Sequence, residues 1–288
     1  MSTPPSDPRT DLPPFGTLAT VERVDEVAVR VLAPNPSPMT LDGTNTYVLF
    51  ADDGAPAVVV DPGPADAEHR AVVDQVIAEH DLDVACVFAT HHHPDHVEAA
   101  ADWAADWGVQ VVAARADVAG PDGRVVTDGD AISAGGLDLA VVETPGHTAD
   151  SLSLRLPTRA VVTGDHVLGR GTAVVAHPDG TLSGYLDSLR RLLDLGPAAL
   201  LPGHGPAIDE HPEAVLAFYR DHRLHRLDQV LAVLADGERT AREVVEVVYA
   251  AYDEAVWPAA TASTTAAFEH LAAEGRIHLD EDGTARLA

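Results

Sequence analysis

The stretch Val84-Ala85-Cys86-Val87-Phe88-Ala89-Thr90-His91-His92-His93-Pro94-Asp95-His96 decides how this chain is read. Val84 to Ala89 is a short apolar run of the kind that forms a buried strand. It leads directly into four histidines and an aspartate, in the pattern His91-x-His93-x-Asp95-His96. His91 and His93 stand at i and i+2 of an extended loop, so both rings can face one way. Asp95 and His96 follow Pro94 at the start of a helix expected over Val97 to Trp107, within reach of a neighbouring position. His92 is expected to point away.

The same texture recurs downstream. His147 lies in Pro145-Gly146-His147-Thr148, Asp165 follows Gly164, and His204 lies in Pro202-Gly203-His204-Gly205, each after a strand-like run. The glycines let the backbone turn sharply, so side chains at strand ends can converge. His91, His93, His96, His147 and His204 with Asp95 and Asp165 are a natural ligand set for two borderline-soft divalent ions. His69, His80, His177, His211, His270 and His278 have no such setting and read as ordinary surface or core groups. Thr148 and His166 adjoin ligands, and shaping the turns is as good an account of them as supporting the site.

Around these motifs the chain alternates strands and helices. Strands are expected at Val27 to Leu32, Thr46 to Phe50, Ala57 to Val60, Val84 to Ala89, Val109 to Ala113, Leu137 to Val142, Leu152 to Leu156, Ala160 to Thr163 and Ala198 to Leu201. Helices are expected at Asp66 to His80 and Leu182 to Leu195, the latter with a leucine stripe. Beyond Gly205 come helices at Glu213 to Ala235, Thr240 to Tyr252 and Pro258 to Glu274, then a hairpin over Arg276 to Leu287 around Asp282-Gly283. Three helices and a hairpin are the order of a winged helix. The expected organisation is a disordered proline-rich tail over 1–16, an α/β catalytic domain over 17–210 and a winged-helix-like domain over 211–288.

Composition narrows the function. Arginine supplies all 18 basic residues and there is no lysine, which excludes a Schiff-base lysine, a phosphate-loop lysine and a lysine general base. Against them stand 46 acids, for a net charge of −28. Such a surface repels phosphate backbones and anionic membranes at long range. The single cysteine, Cys86, rules out an internal disulfide and fits a reducing cytoplasm. The first 16 residues lack the features of a secretory signal, and no apolar run approaches the ~20 residues that span a bilayer.

The run Val58-Val59-Val60-Asp61-Pro62-Gly63, the histidine loop, His147, Asp165 and His204 together resemble the metallo-β-lactamase-fold superfamily. The resemblance implies an αββα sandwich with a dinuclear site at one edge of its sheets. It implies that His91, His93 and His147 hold one metal, that Asp95, His96 and His204 hold the second, and that Asp165 bridges them. Asp61 would brace the histidine loop from behind. Asp165 stands where dizinc β-lactamases usually carry a cysteine, so antibiotic hydrolysis is not expected. His93 in place of glutamate argues against flavodiiron chemistry, and no basic arm of the transfer-RNA 3′-processing kind is present. Single-iron sulfur dioxygenases share these ligands and stay open. Asn35-Pro36-Ser37-Pro38, Leu41-Asp42-Gly43-Thr44-Asn45-Thr46-Tyr47, the helix with Tyr185, Ser188 and Leu189, and Leu201 to Pro206 are similar to the β-lactamase-like protein 2 family. That family adds a C-terminal winged helix and includes glyoxalase II-like thioesterases of polyketide pathways and single-strand endoribonucleases.

The expected function is a hydrolase in which a hydroxide bridging two divalent ions, zinc first among them, attacks a small acyl substrate, a thioester or lactone. Asp95 is the catalytic proton relay, and Asn45 and Arg223 are candidates to contact substrate. The alternative is a single-strand ribonuclease using Arg220, His222, Arg223 and Arg226, which equally read as a solvated helix face paired with Asp221 and Asp228. A DNA-binding regulator is disfavoured, because residues 211–288 carry 7 arginines against 14 acids and the third helix carries none. The domain reads better as a cap or a homodimer surface. No membrane partner is expected.

Overall fold

The computed structural model describes residues 4–288. Strands β1 (Val21–Asp25), β2 (Ala28–Leu32), β3 (Asn45–Leu49) and β4 (Pro56–Val60) form an antiparallel meander. Helix α1 (Ala67–Glu79) crosses to β5 (Asp83–Phe88), parallel to β4. Helices α2 (Pro94–Val97) and α3 (Ala100–Trp107) lead to β6 (Gln110–Ala113), and α4 (Ala116–Ala119) leads to β7 (Arg124–Val125), completing a seven-stranded sheet. A second sheet holds β8 (Ala131–Ala134), β9 (Leu137–Glu143), β10 (Leu152–Arg155), β11 (Val161–Gly164) and β12 (Leu200–Pro202), with α5 (Leu182–Asp194) between its last two strands. The chain ends with α6 (Pro212–Leu234), β13 (Arg239–Thr240), α7 (Ala241–Val248), α8 (Trp257–Ala273), β14 (Ile277–Leu279) and β15 (Thr284–Leu287), whose three strands form the wing sheet in the order β13-β15-β14.

Strand alternation builds the layers. In β4, Val58 and Val60 face the second sheet and pack with Leu139, Leu154 and Val162, while Ala57 and Val59 face Val73 of α1 and Trp103 of α3. The far side of the second sheet buries Val161 and Leu200 under Leu189 of α5. The result is the expected αββα sandwich, with strand ends presenting their loops along one edge.

Three features differ from the sequence reading. The helix expected from Val97 is interrupted, because the Ala99 N–H donates to Gly63 O at 3.2 Å and Gly63 N–H donates to His96 O at 3.0 Å. The 61–63 turn thus takes backbone groups that a continuous helix would use itself. Residues 4–16, expected as a disordered tail, follow a definite path: Arg9 donates to Leu168 O and Gly171 O, and Arg170 donates to Pro13 O. Residues 1–3 of that tail lie outside the described residues. The winged-helix unit also has no separate core, since one apolar cluster runs from Leu189 and Leu200 through Leu216 and Tyr219 to Phe268, Leu271 and Ile277.

Candidate metal centre

Four loops leaving the ends of β5, β9, β11 and β12 converge. His91 Nε2 and His147 Nε2 each lie 3.0 Å from His93 Nδ1. Beside this trio, Asp95 Oδ2 is 3.2 Å from His204 Nε2, which is 3.3 Å from His96 Nε2. Asp165 stands between them, with Oδ1 at 3.5 Å from His96 Nε2 and Oδ2 at 3.4 and 3.8 Å from the Nε2 atoms of His204 and His147. Ligand atoms of His91, His93 and His147 lie within 4.8 Å of one another, as do those of Asp95, His96 and His204 and those of His91, His96 and Asp165.

The outer hydrogen bonds determine what the inner nitrogens offer. His147 Nδ1 faces Val174 O at 2.7 Å and His204 Nδ1 faces Gly43 O at 3.1 Å. A carbonyl only accepts, so both Nδ1 atoms donate and both Nε2 atoms are free to ligate. Thr90 Oγ1 gives its proton to Asp61 Oδ2 at 2.7 Å and can only accept from His91 Nδ1 at 3.0 Å. His96 Nδ1 donates to the same Asp61 oxygen at 2.8 Å. These bonds leave four Nε2 atoms able to turn lone pairs toward one another, beside a buried Asp165 Oδ1 with no hydrogen-bond partner. A cation, which takes several lone pairs at once, satisfies such a set.

Electrostatics agree. Burial holds His91 and His147 below the ordinary imidazole value and His93 down at about 4, so these rings are neutral and able to ligate at neutral pH. Burial opposes charge on His96 and His204 too, but Asp165 outweighs it. Asp61 helps raise His96 well above its usual value, and Asp95 helps raise His204 to about 9. Burial likewise pushes Asp165 upward, yet His204 and His96 hold it well below the usual carboxylate range. The second trio therefore favours positive charge, whether protons or a metal.

Asp61 ties the site together. It accepts from Thr90 N–H at 2.8 Å, from the Thr90 hydroxyl and from His96, and it sits at φ +48°, a strained conformation for a residue with a side chain. Gly203 gives room, since a Cβ there would lie 2.5 Å from Asp165 Oδ1 and 2.7 Å from His96 Cε1.

Other expected residues fall elsewhere. Asn45, a candidate for substrate, is fully buried and donates to Pro202 O and Gly205 O, bracing the His204 turn. Arg223 is also buried; its guanidinium bonds Ala173 O and stacks 4.8 Å over Tyr185. Arg220 pairs with Asp221, and Arg226 lies over Tyr249 and bonds Gln229. His92 pairs with Asp150, Thr148 with Ser151, and His166 stacks on Tyr185. Sequence reading missed Thr90 and the carbonyls of Gly43 and Val174. Thr90 adjoins His91, but a backbone carbonyl leaves no trace in residue type.

Residues 39–204 match the Metallo-beta-lactamase superfamily, and residues 240–285 match the Beta-lactamase associated winged helix domain. A beta-lactamase-like protein 2 homolog of Caenorhabditis elegans is 33% identical over 275 residues, covering 92% of this chain and 91% of its own. An atrochrysone carboxyl ACP thioesterase of Aspergillus chevalieri is 34% identical, covering 85% of this chain and 79% of its own. Among solved structures, a beta-lactamase domain protein from Burkholderia ambifaria superposes with a TM-score of 0.80 at 24% identity, covering 98% and 97% of the two chains, a likeness of fold.

Proposed function

The chain belongs to the metallo-beta-lactamase superfamily of hydrolases, and from that membership we propose that it uses two divalent ions, zinc by the softness of the ligands, to hydrolyse a small acyl substrate, a thioester or lactone. The observation that carries the reading is the pair of ligand trios with Asp165 between them. His91, His93 and His147 would hold one ion, Asp95, His96 and His204 the other, with Asp165 shared. Such ions supply Lewis acidity to the scissile carbonyl and to water.

The chain's own groups do the rest. Asp95 is the most open carboxylate of the site, its side chain 30% exposed. Burial pushes its carboxyl up, but the bond from His204 and the nearby His96 outweigh that and keep it an anion at neutral pH. It is therefore able to take a proton from attacking water and return it to the leaving group. Asp61 and Thr90 hold the rings of His96 and His91 in register, and Asn45 holds the turn that presents His204.

The thioesterase name carried by an Aspergillus relative supports the acyl reading. So do the net charge of −28 and the engagement of Arg220, Arg223 and Arg226 within the chain. The test is hydrolysis of an acyl-thioester panel and a single-stranded RNA, side by side, by zinc-loaded protein with Asp165→Ala as control. Thioester cleavage that disappears in the variant is expected, with two metals per chain by elemental analysis. RNA cleavage lost in the variant, with thioesters untouched, would overturn the ranking.

A further inference from the structure

The third helix of a nucleic-acid-binding winged helix inserts into a groove of its target. Here α8 turns polar groups to the catalytic domain instead. Ser263 Oγ accepts from Val175 N–H at 3.1 Å, Glu269 pairs with His177 at 3.0 Å, and His270 Nδ1 lies 2.8 Å from Ser183 Oγ. From α6, the Arg223 guanidinium donates to Ala173 O.

Two of these contacts, from Ser263 and Arg223, fall on residues 173–176, between β11 and α5. Successive backbone groups of extended chain alternate in direction, and this segment uses both sides. Ala173 O and Val175 N–H face the C-terminal domain, at Arg223 and Ser263. Val174 O and Ala176 N–H face His147, the first taking the ring Nδ1–H at 2.7 Å and the second donating to the His147 carbonyl at 2.9 Å. The segment is a strap held by one domain and gripping a ligand of the other.

We propose that the C-terminal domain is a brace of the metal centre, with Ser263 and Arg223 as positioning residues that hold the 173–176 strap so that the Val174 carbonyl orients the His147 ring. This rests on the metal-centre reading above. Outer partners that fix a ligating histidine govern both its tautomer and its aim, and losing one typically weakens metal binding by about 10–100-fold. Ser263 and Arg223 act one step further out. Without them the strap loses both of its polar ties to the C-terminal domain and keeps its bonds to His147 and the Gly180 N–H bond to Ala176 O.

The test uses the full-length chain, measuring stepwise zinc affinity by competition with a chromophoric chelator and the visible absorption of the cobalt-substituted protein. Ser263→Ala and Arg223→Met are expected to weaken the tighter zinc step by about tenfold and to shift the cobalt bands, while Ser263→Thr, which keeps the hydroxyl, restores both. Thr264→Ala is the control, because its hydroxyl bonds only Ala260 O within α8. It should lower the melting temperature without moving affinity or spectrum. If Arg223→Met does not fold, Ser263→Ala against Ser263→Thr decides. Wild-type affinity and an unchanged cobalt spectrum in folded Ser263→Ala would overturn the brace alone. Wild-type protein that takes up no metal would overturn the metal-centre reading with it.

Discussion

At the scale of single residues, the site is built as much by what surrounds the ligands as by the ligands. The Asp61 carboxylate alone receives three hydrogen bonds, two from Thr90 and one from His96, and so couples the loop of one trio to a ring of the other. Gly203 matters through what it lacks. Its missing Cβ leaves the space that Asp165 Oδ1 and His96 Cε1 occupy, neither of them the end of a flexible side chain. Gly203→Ala is therefore expected to displace Asp165 or His96 and to abolish uptake of at least one metal. Elemental analysis beside circular dichroism checks this; a folded variant with the wild-type metal content would refute it.

Among elements, the long helices α5, α6 and α8 were legible to within a residue at each end. Helix α5, with Leu182, Leu189 and Leu192 buried on one side, stands over Leu182–Asp194 where its leucine stripe predicts it. The short strands β1, β7 and β13 carry no fully buried residue and have no comparable pattern. Helix α7 ends at Val248, short of the expected Tyr252, but its start is well marked. Thr240 Oγ1 accepts from Glu243 N–H while the Glu243 carboxylate accepts from Thr240 N–H, a reciprocal cap. Thr240→Ala should lower stability by about 0.5–2 kcal/mol, with Thr240→Ser near wild type. Thermal melts of the three proteins decide it, and an alanine variant as stable as wild type would show that α7 is held by packing alone.

For the molecule as a whole, the core spreads over both sequence-defined parts, and buried histidines are distributed through it. Burial lowers His69, under the first sheet, to about 4, and lowers His166 beside α5 and His222 on α6 to about 3. Each is neutral in the folded chain and would take a proton in the unfolded chain below the ordinary value of about 6.5. Their contribution to stability is present above about pH 6.5 and is lost as pH falls toward the folded values, each adding up to about 1.4 kcal/mol per pH unit. Acidification also relieves repulsion from the −28 net charge, an opposing effect that salt screens. Denaturant midpoints at high ionic strength should therefore fall from about pH 6.5 downward. Midpoints that hold level or rise over that range would contradict neutral burial of these rings.

While the αββα sandwich came from the family resemblance, sequence by itself determined the alternation of strands and helices, the winged-helix order that follows it and the seven side chains that meet at the strand ends. Those features rest on local periodicity, on glycine hinges and on the chemistry of histidine and aspartate, all written within a few residues. Only the tertiary structure decided which atoms orient the ligands and which polar residues are consumed in doing so. Asn45 looked available until Pro202 and Gly205 claimed it, and Arg223 until Ala173 and Tyr185 did. The N-terminal segment looked free until Arg9 met Leu168 and Gly171. In each case the partner is a distant backbone carbonyl or a ring face. Any residue can supply a carbonyl, so its role depends on where the chain passes and not on its side chain.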